Sequence, residues 1–186
     1  MEKLVRPTRG TRFIGLSSFS SSQVKEVLEV ATIKPKVHQF ESHPYLQQPD
    51  LIEENMANNM TVTAFGPLGN TNQLKTLGLV GADLNRAPPL LSDQTITQIA
   101  KERGCTTAQV VLAWNMRRGV SVIPKAARVD HQKENIAAFD NCKLTDEDSK
   151  KIVDIRTRTE ARFYESICKY GPTTGCSPKG LAGRAP

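Results

Sequence analysis

Short apolar runs alternate with helix-period segments along most of the chain. Arg12-Phe13-Ile14-Gly15-Leu16 predicts a strand. Residues 20–31 follow as a helix with a serine-rich start and Val24, Val27, Leu28 and Ala31 on one face. Val37-His38-Gln39-Phe40-Glu41 is a second strand, after which Asp50, with Glu53 three residues on, reads as a capping box. Thr61-Val62-Thr63-Ala64-Phe65 is a third strand, and Phe13, Val37 and Thr61 fall 24 residues apart, the pace of compact βα units. The stretch Gly66–Leu91 is too long for an ordinary connection and is a candidate functional loop.

Ser92 then marks the start of a helix that ends at Gly104, with Ile96, Ile99 and Ala100 facing inward. Thr106 and Gln109 form another capping box, and Arg117-Arg118 before Gly119 close that helix favourably against its dipole. Ser121-Val122-Ile123 predicts a fourth strand and residues 130–139 a helix. Thr145 with Asp146-Glu147-Asp148 opens a last helix ending near Arg156. Alternating strands and helices imply an α/β protein with a parallel sheet. The regular spacing favours part of a (β/α) barrel over a doubly wound sheet, and no G-x-G-x-x-G follows any strand.

Composition narrows the class. A chain of 186 residues with 38% hydrophobic and 24% charged positions suits one folded domain and excludes a strongly disordered one. No apolar stretch approaches the ~18 residues of a membrane span, and Met1-Glu2-Lys3-Leu4-Val5-Arg6 lacks the apolar run of a signal peptide. Cys105, Cys142, Cys168 and Cys176 form no C-x-x-C, so free thiols in a reducing cytoplasm are expected, with no metal site. The net charge of +6 is uneven: residues 1–12 carry +3, residues 156–186 carry +4, and the body between carries −1. With the excess confined to the two ends and no binding motif beside it, nucleic acid is not an expected partner. Residues 1–155 read as the folded unit and 156–186 as a basic Gly/Pro-rich tail. The part from 170 onward is expected to be mobile, with a lid over a site as the alternative.

In βα barrels the working residues project from the C-terminal ends of strands. Those positions here hold Ser17 and Ser18, then Gln39 and Glu41, then Phe65 with Gly66-Pro67-Leu68-Gly69, then Lys125. Singly, each is an ordinary loop residue. Together at one face they suit a phosphorylated, partly aromatic ligand: the amide and hydroxyls for a carboxamide, the ring for stacking, the lysine and a helix start for phosphate.

Four segments, in order, resemble the aldo-keto reductase family. Gly15-Leu16-Ser17-Ser18-Phe19 resembles its G-[VIL]-S-N-F, and His38-Gln39-Phe40-Glu41-Ser42-His43-Pro44-Tyr45-Leu46 its N-Q-[VIM]-E-x-H-P-Y-L. Thr63-Ala64-Phe65-Gly66-Pro67-Leu68-Gly69 is similar to T-A-[YF]-S-P-L-G. Val122-Ile123-Pro124-Lys125-Ala126, with Glu134-Asn135 downstream, is similar to V-I-P-K-S and its R-x-x-E-N continuation. The resemblance spans roughly residues 1–155. The stretches Ala87–Leu91 and Arg103–Thr106 look most like fungal members.

The resemblance implies the C-terminal half of a (β/α)8 barrel, about four parallel strands with helices. Its enzymes bind NADP(H) and move hydride between nicotinamide and an aldehyde, ketone or sugar carbonyl. By position, Ser17, Ser18 and Gln39 hold the nicotinamide carboxamide, Phe65 stacks on the ring, and Gly66, Leu68 and Gly69 pass the pyrophosphate. Lys125 and His131 meet the adenosine 2′-phosphate, and Glu134 with Asn135 holds adenine. His43 and Tyr45 belong to the structural H-P-Y segment.

Four of these positions depart from the family pattern: Ser18 stands for asparagine, Gly66 and Ala126 for serines, and His131 for an arginine. Arginine is always charged and grips phosphate bidentately, whereas histidine changes charge near neutral pH, so weaker NADPH binding is expected. The family's catalytic aspartate, tyrosine, lysine and histidine have no counterparts, since the sequence contains neither D-x-A-x-x-Y-x-N-E nor L-x-H-W-P. No catalytic residue is assigned, and the chain alone is expected to be inactive. Met1-Glu2-Lys3-Leu4 resembles an internal segment of longer relatives, which suggests a truncated product; a half-barrel completed by another chain is the other possibility. Two functions follow: the cofactor-binding half of an oxidoreductase, or a non-catalytic nucleotide-binding or regulatory module.

Overall fold

The structure is a computed structural model that describes residues 1–6, 10–69 and 87–164. Most of the loop expected over Gly66–Leu91, and the tail from residue 165 on, lie outside the described residues.

Four parallel strands lie side by side in chain order: β1 (Gly15–Ser17), β2 (Val37–Glu41), β3 (Thr61–Phe65) and β4 (Ser121–Ile123). Parallel neighbours need a crossover, and helices supply it. α1 (Ser21–Val30) links β1 to β2, and α2 (Pro49–Ala57) links β2 to β3. α3 (Gln94–Arg103) and α4 (Thr107–Arg117) precede β4, while α5 (Val129–Ile136), α6 (Ala138–Asn141) and α7 (Asp146–Asp154) follow it. This is the expected α/β architecture, a run of βα units.

The first strand begins at Gly15 rather than Arg12. Pro35 has no N–H to donate, so the ladder to β2 starts where Lys36 N donates to the Ile14 carbonyl at 2.8 Å, and Phe13 is left 59% exposed. Gly15 is required by the close approach that follows, because a Cβ there would meet the Val37 carbonyl oxygen at 2.7 Å.

Side chains alternate across the sheet. Phe40, Val62 and Ala64 are buried with Leu51, Ile52 and Val120 under the helices. The opposite face carries two register lines, Ser17–Gln39–Thr63–Ser121 and Glu41–Phe65–Ile123. A second core of Tyr45, Ile96, Val110, Trp114, Ile152 and Phe163 lies among α3, α4, α7 and the segment after α7. Arg118 stacks 4.2 Å over Trp114, and burial pushes its guanidinium down to about 10.

Helix starts follow local chemistry, with two corrections. Asp50 does not cap α2. Pro49 opens that helix from the left-handed Gln48, and its fixed φ and missing N–H place the start two residues earlier than Asp50 as cap requires. Asp93, not Ser92, caps α3: its carboxylate accepts from Thr95 N at 2.9 Å and Ile96 N at 3.4 Å, while Ser92 closes a short 3-10 turn. The helix expected over 130–139 divides at Ala137, which lets Ala138 bury itself against α4 and leaves Phe139 63% exposed. The Thr106/Gln109 box is present, with the Gln109 N–H 3.2 Å from Thr106 Oγ1. Thr106→Ala is expected to cost about 1 kcal/mol, read as a lower urea midpoint at unchanged slope. A midpoint equal to the parent's contradicts that role.

The expectation of free thiols fails for one pair. Cys105, in the turn before α4, is bonded to Cys142 at the end of α6. Packing of α4 on α6 brings their Cα atoms to 5.5 Å, within disulfide reach, although 37 residues separate them. Cys168 and Cys176 lie outside the described residues. Packing also continues past residue 155: Ala161, Arg162 and Phe163 are buried, so the first part of the expected tail is integral to the body.

Candidate functional site

Most of the predicted residues lie at the C-terminal ends of the four strands, with His131, Glu134 and Asn135 on α5. After β1 the chain turns sharply, with Ser18 at φ 58° and its N–H donating to the Gln39 carbonyl at 2.8 Å. This left-handed conformation is one that asparagine adopts more readily than serine. Ser17 lies beside Gln39 in the register, both on the same face. His38 fixes this turn. Its Nε2 accepts from Phe19 N at 3.1 Å, so its Nδ1 carries the proton toward Asn55 Oδ1 at 2.9 Å. Burial holds the imidazole below its ordinary pKa, in keeping with a neutral ring.

After β3, Phe65 leads into a tight turn with Gly66 at φ 55°, Gly69 at φ 58°, and Gly69 N donating to the Gly66 carbonyl at 3.0 Å. Both glycines occupy the left-handed region. After β4, residues 124–128 run to the start of α5. Between these two segments lies a groove of about 490 Å³. Gly66, Leu68 and Gly69 line one side, and Lys125, Arg128 and His131 the other. Backbone and cations facing each other across an open groove suit an anionic, phosphate-bearing ligand.

The structure therefore brings Gly66, Leu68, Gly69, Lys125 and His131 together. Phe65 lies at the groove's edge, 5.2 Å from the Tyr164 ring, which itself lines the groove. Ser17, Ser18 and Gln39 stand at the same end of the sheet but outside the groove. Glu134 and Asn135 do not line it either: the Glu134 carboxylate accepts from the Thr106 hydroxyl, and its carbonyl accepts from Gln109 Nε2 at 3.0 Å.

Several site residues are absent from the sequence expectations. Arg128 follows no motif and is paired bidentately with Asp130 through Nε and Nη2. Tyr164 lies in the expected tail. Glu41 stands at a strand end, and its sequence position discloses neither its burial nor its partners. It is fully buried and accepts from His43 Nε2 at 2.9 Å, Phe163 N at 2.7 Å and Tyr164 N at 3.2 Å, with Arg162 Nη1 at 3.7 Å. The Glu-x-His spacing is the one local signal for this cluster. His43 and Tyr45 are both buried inside the protein, His43 on Glu41 and Tyr45 through its hydroxyl on Asp93 at 3.2 Å.

Comparison with known proteins fits this geometry. The profile of the Aldo/keto reductase family matches residues 6–157. Aldo-keto reductase family 1 member A1-A of Danio rerio is 38% identical over 171 residues, covering 92% of this chain and 50% of that protein. The NAD(P)H-dependent D-xylose reductase of Scheffersomyces stipitis is 40% identical over 142 residues, covering 75% of this chain and 43% of that one. Among solved structures, an aldose reductase from Giardia lamblia superposes with a TM-score of 0.76 at 26% identity, covering 93% of this chain and 53% of that chain. Relatives come from animals, fungi and Synechocystis alike, so they single out no kingdom. The chain spans about half the length of the curated relatives it matches, and its four parallel strands with their helices match about half of the (β/α)8 barrels among the solved structures. Among the described residues no helix is long and apolar enough to cross a membrane. The chain belongs to the aldo/keto reductase family.

Proposed function

We propose that the chain is the C-terminal, cofactor-binding half of an NADP(H)-dependent oxidoreductase acting on an aldehyde, ketone or sugar carbonyl. The observation that carries this reading is the groove at the strand ends, where the Gly66–Gly69 turn faces Lys125 and His131. The relatives named for NAD(P)H-dependent xylose reduction support a nicotinamide cofactor. The residues present fit one: the tight Gly66–Gly69 turn lines the groove with backbone, and Lys125 supplies a cation for phosphate. When bound, the dinucleotide supplies the hydride. The chain's own residues bind and orient it: Ser17, Ser18 and Gln39 toward the carboxamide, Phe65 against the ring, Gly66, Leu68 and Gly69 along the pyrophosphate, Lys125 and His131 at the 2′-phosphate. Glu134 and Asn135 flank adenine from α5.

The second reading is a non-catalytic nucleotide-binding module, since these 186 residues by themselves carry neither D-x-A-x-x-Y nor L-x-H-W-P and so offer no general acid for the carbonyl oxygen. The half-exposed inner face, with Ile123 48% exposed, also suits another chain that completes the barrel and supplies that acid. Fluorescence titration and a turnover assay of the purified chain test the cofactor reading and the inactivity of the chain by itself. NADPH is expected to bind more weakly than low micromolar and more tightly than NADH. His131→Arg is expected to tighten NADPH about tenfold by restoring a bidentate phosphate contact. No carbonyl-dependent oxidation is expected from the chain alone. Failure to bind either dinucleotide overturns the cofactor reading, and turnover by the isolated chain overturns its predicted inactivity.

A further inference from the structure

The Gly66–Gly69 turn is moulded against two consecutive aromatic residues from the far end of the described chain. A Cβ on Gly69 would meet Phe163 Cε2 at 2.7 Å, and one on Gly66 would meet Tyr164 Cε2 at 2.5 Å and Cζ at 3.2 Å. Phe163 and Tyr164 are held there by their backbone. Both N–H groups donate to the buried Glu41 carboxylate, and Ala161 N donates to the Tyr45 carbonyl at 3.0 Å. Phe163 is fully buried, 4.8 Å from the His43 ring and 6.3 Å from Tyr45. With its backbone fixed, Tyr164 sets its ring perpendicular to Phe65 at 5.2 Å and lies over Gly66 on the groove wall.

Gly66 stands where the resembling family carries serine, so the space of that side chain is here taken by the Tyr164 ring. We infer that Tyr164 is a further cofactor-contacting residue, a phenol strapped by Glu41 over Phe65 and Gly66 that supplies, at the junction of ring and pyrophosphate, the hydroxyl that a serine at 66 otherwise supplies. The inference rests on the nicotinamide reading of the groove. Burial, with the Glu41 charge nearby, raises the phenol's pKa, so it stays protonated and able to donate. Glu41 is then a positioning residue, acting on the cofactor through the 163–164 backbone.

A double-mutant cycle tests the pairing, read by NADPH fluorescence titration with circular dichroism as the check on folding. Tyr164→Phe keeps the ring and removes the hydroxyl, and is expected to weaken NADPH about fivefold. Gly66→Ser is expected to weaken it more than about tenfold in the parent, because its Cβ strikes the Tyr164 ring, but less than about threefold in a Tyr164→Ala background. The strain of a left-handed serine is common to both backgrounds and cancels in the cycle. Equal effects of Gly66→Ser in both backgrounds, or Tyr164→Phe binding as the parent does, overturn the inference alone. A parent that binds no NADPH overturns the cofactor reading beneath it.

Discussion

Replacing Glu41 with alanine is expected to destabilise the chain by about 3–5 kcal/mol, the cost of breaking a buried, hydrogen-bonded charge cluster from one side. The carboxylate is fully buried and serves four groups: His43 Nε2, the N–H groups of Phe163 and Tyr164, and the Arg162 guanidinium 3.7 Å away. Alanine leaves those donors inside the protein without their acceptor, and the penalty comes from desolvated groups more than from the lost attraction. It also frees the strap that packs Phe163 into the core. Glu41→Gln keeps one acceptor oxygen but turns an amide NH₂ toward a donor, so a loss of about half that size is expected. Urea unfolding measures both. A loss under about 1 kcal/mol for the alanine variant shows that 161–164 is held by Phe163 packing instead.

This cluster also marks the limit of what the sequence discloses. The strands were legible because each is a short apolar run between turn signals, and the Thr106 and Thr145 caps because a capping box spans only four residues. Gly66, Leu68, Gly69, Lys125 and His131 were legible as motif positions, and the structure lines one groove with them. The bond from Phe163 N to Glu41 spans 122 positions and leaves no periodic trace in either segment. A Gly/Pro-rich composition made 156–186 read as a tail, yet its first apolar residues, Ala161 and Phe163, close the core. The Cys105–Cys142 pairing depends on how α4 meets α6, which spacing alone does not define. Ser92 reads as the cap of α3 in the sequence, whereas the cap is its neighbour Asp93, whose carboxylate is also held by a distant partner, Arg158.

Asp93 is the second place where one substitution is expected to act strongly, and its effect should depend on pH. The carboxylate caps α3, accepts the Tyr45 hydroxyl, and receives Arg158 bidentately at 3.0 and 2.9 Å. Asp93→Ala removes a cap and an ion pair together and is expected to cost about 3 kcal/mol at neutral pH, the exposure of Arg158 keeping it at the low end for a buried charge. Asn retains the cap, so Asp93→Asn isolates the charge. Burial alone would raise the carboxyl's pKa, but the Arg158 bonds and the α3 N–H groups outweigh it and hold it below the ordinary value. A folded-state pKa depressed in this way adds stability above the unfolded value of about 3.9, and that stability is lost as pH falls through the folded value. The unfolding free energies of parent and Asp93→Asn should therefore differ most near pH 7 and converge as the pH drops below about 4. A gap that stays constant across that range would mean that the Arg158 pair adds nothing and that the cap and the Tyr45 bond carry the site.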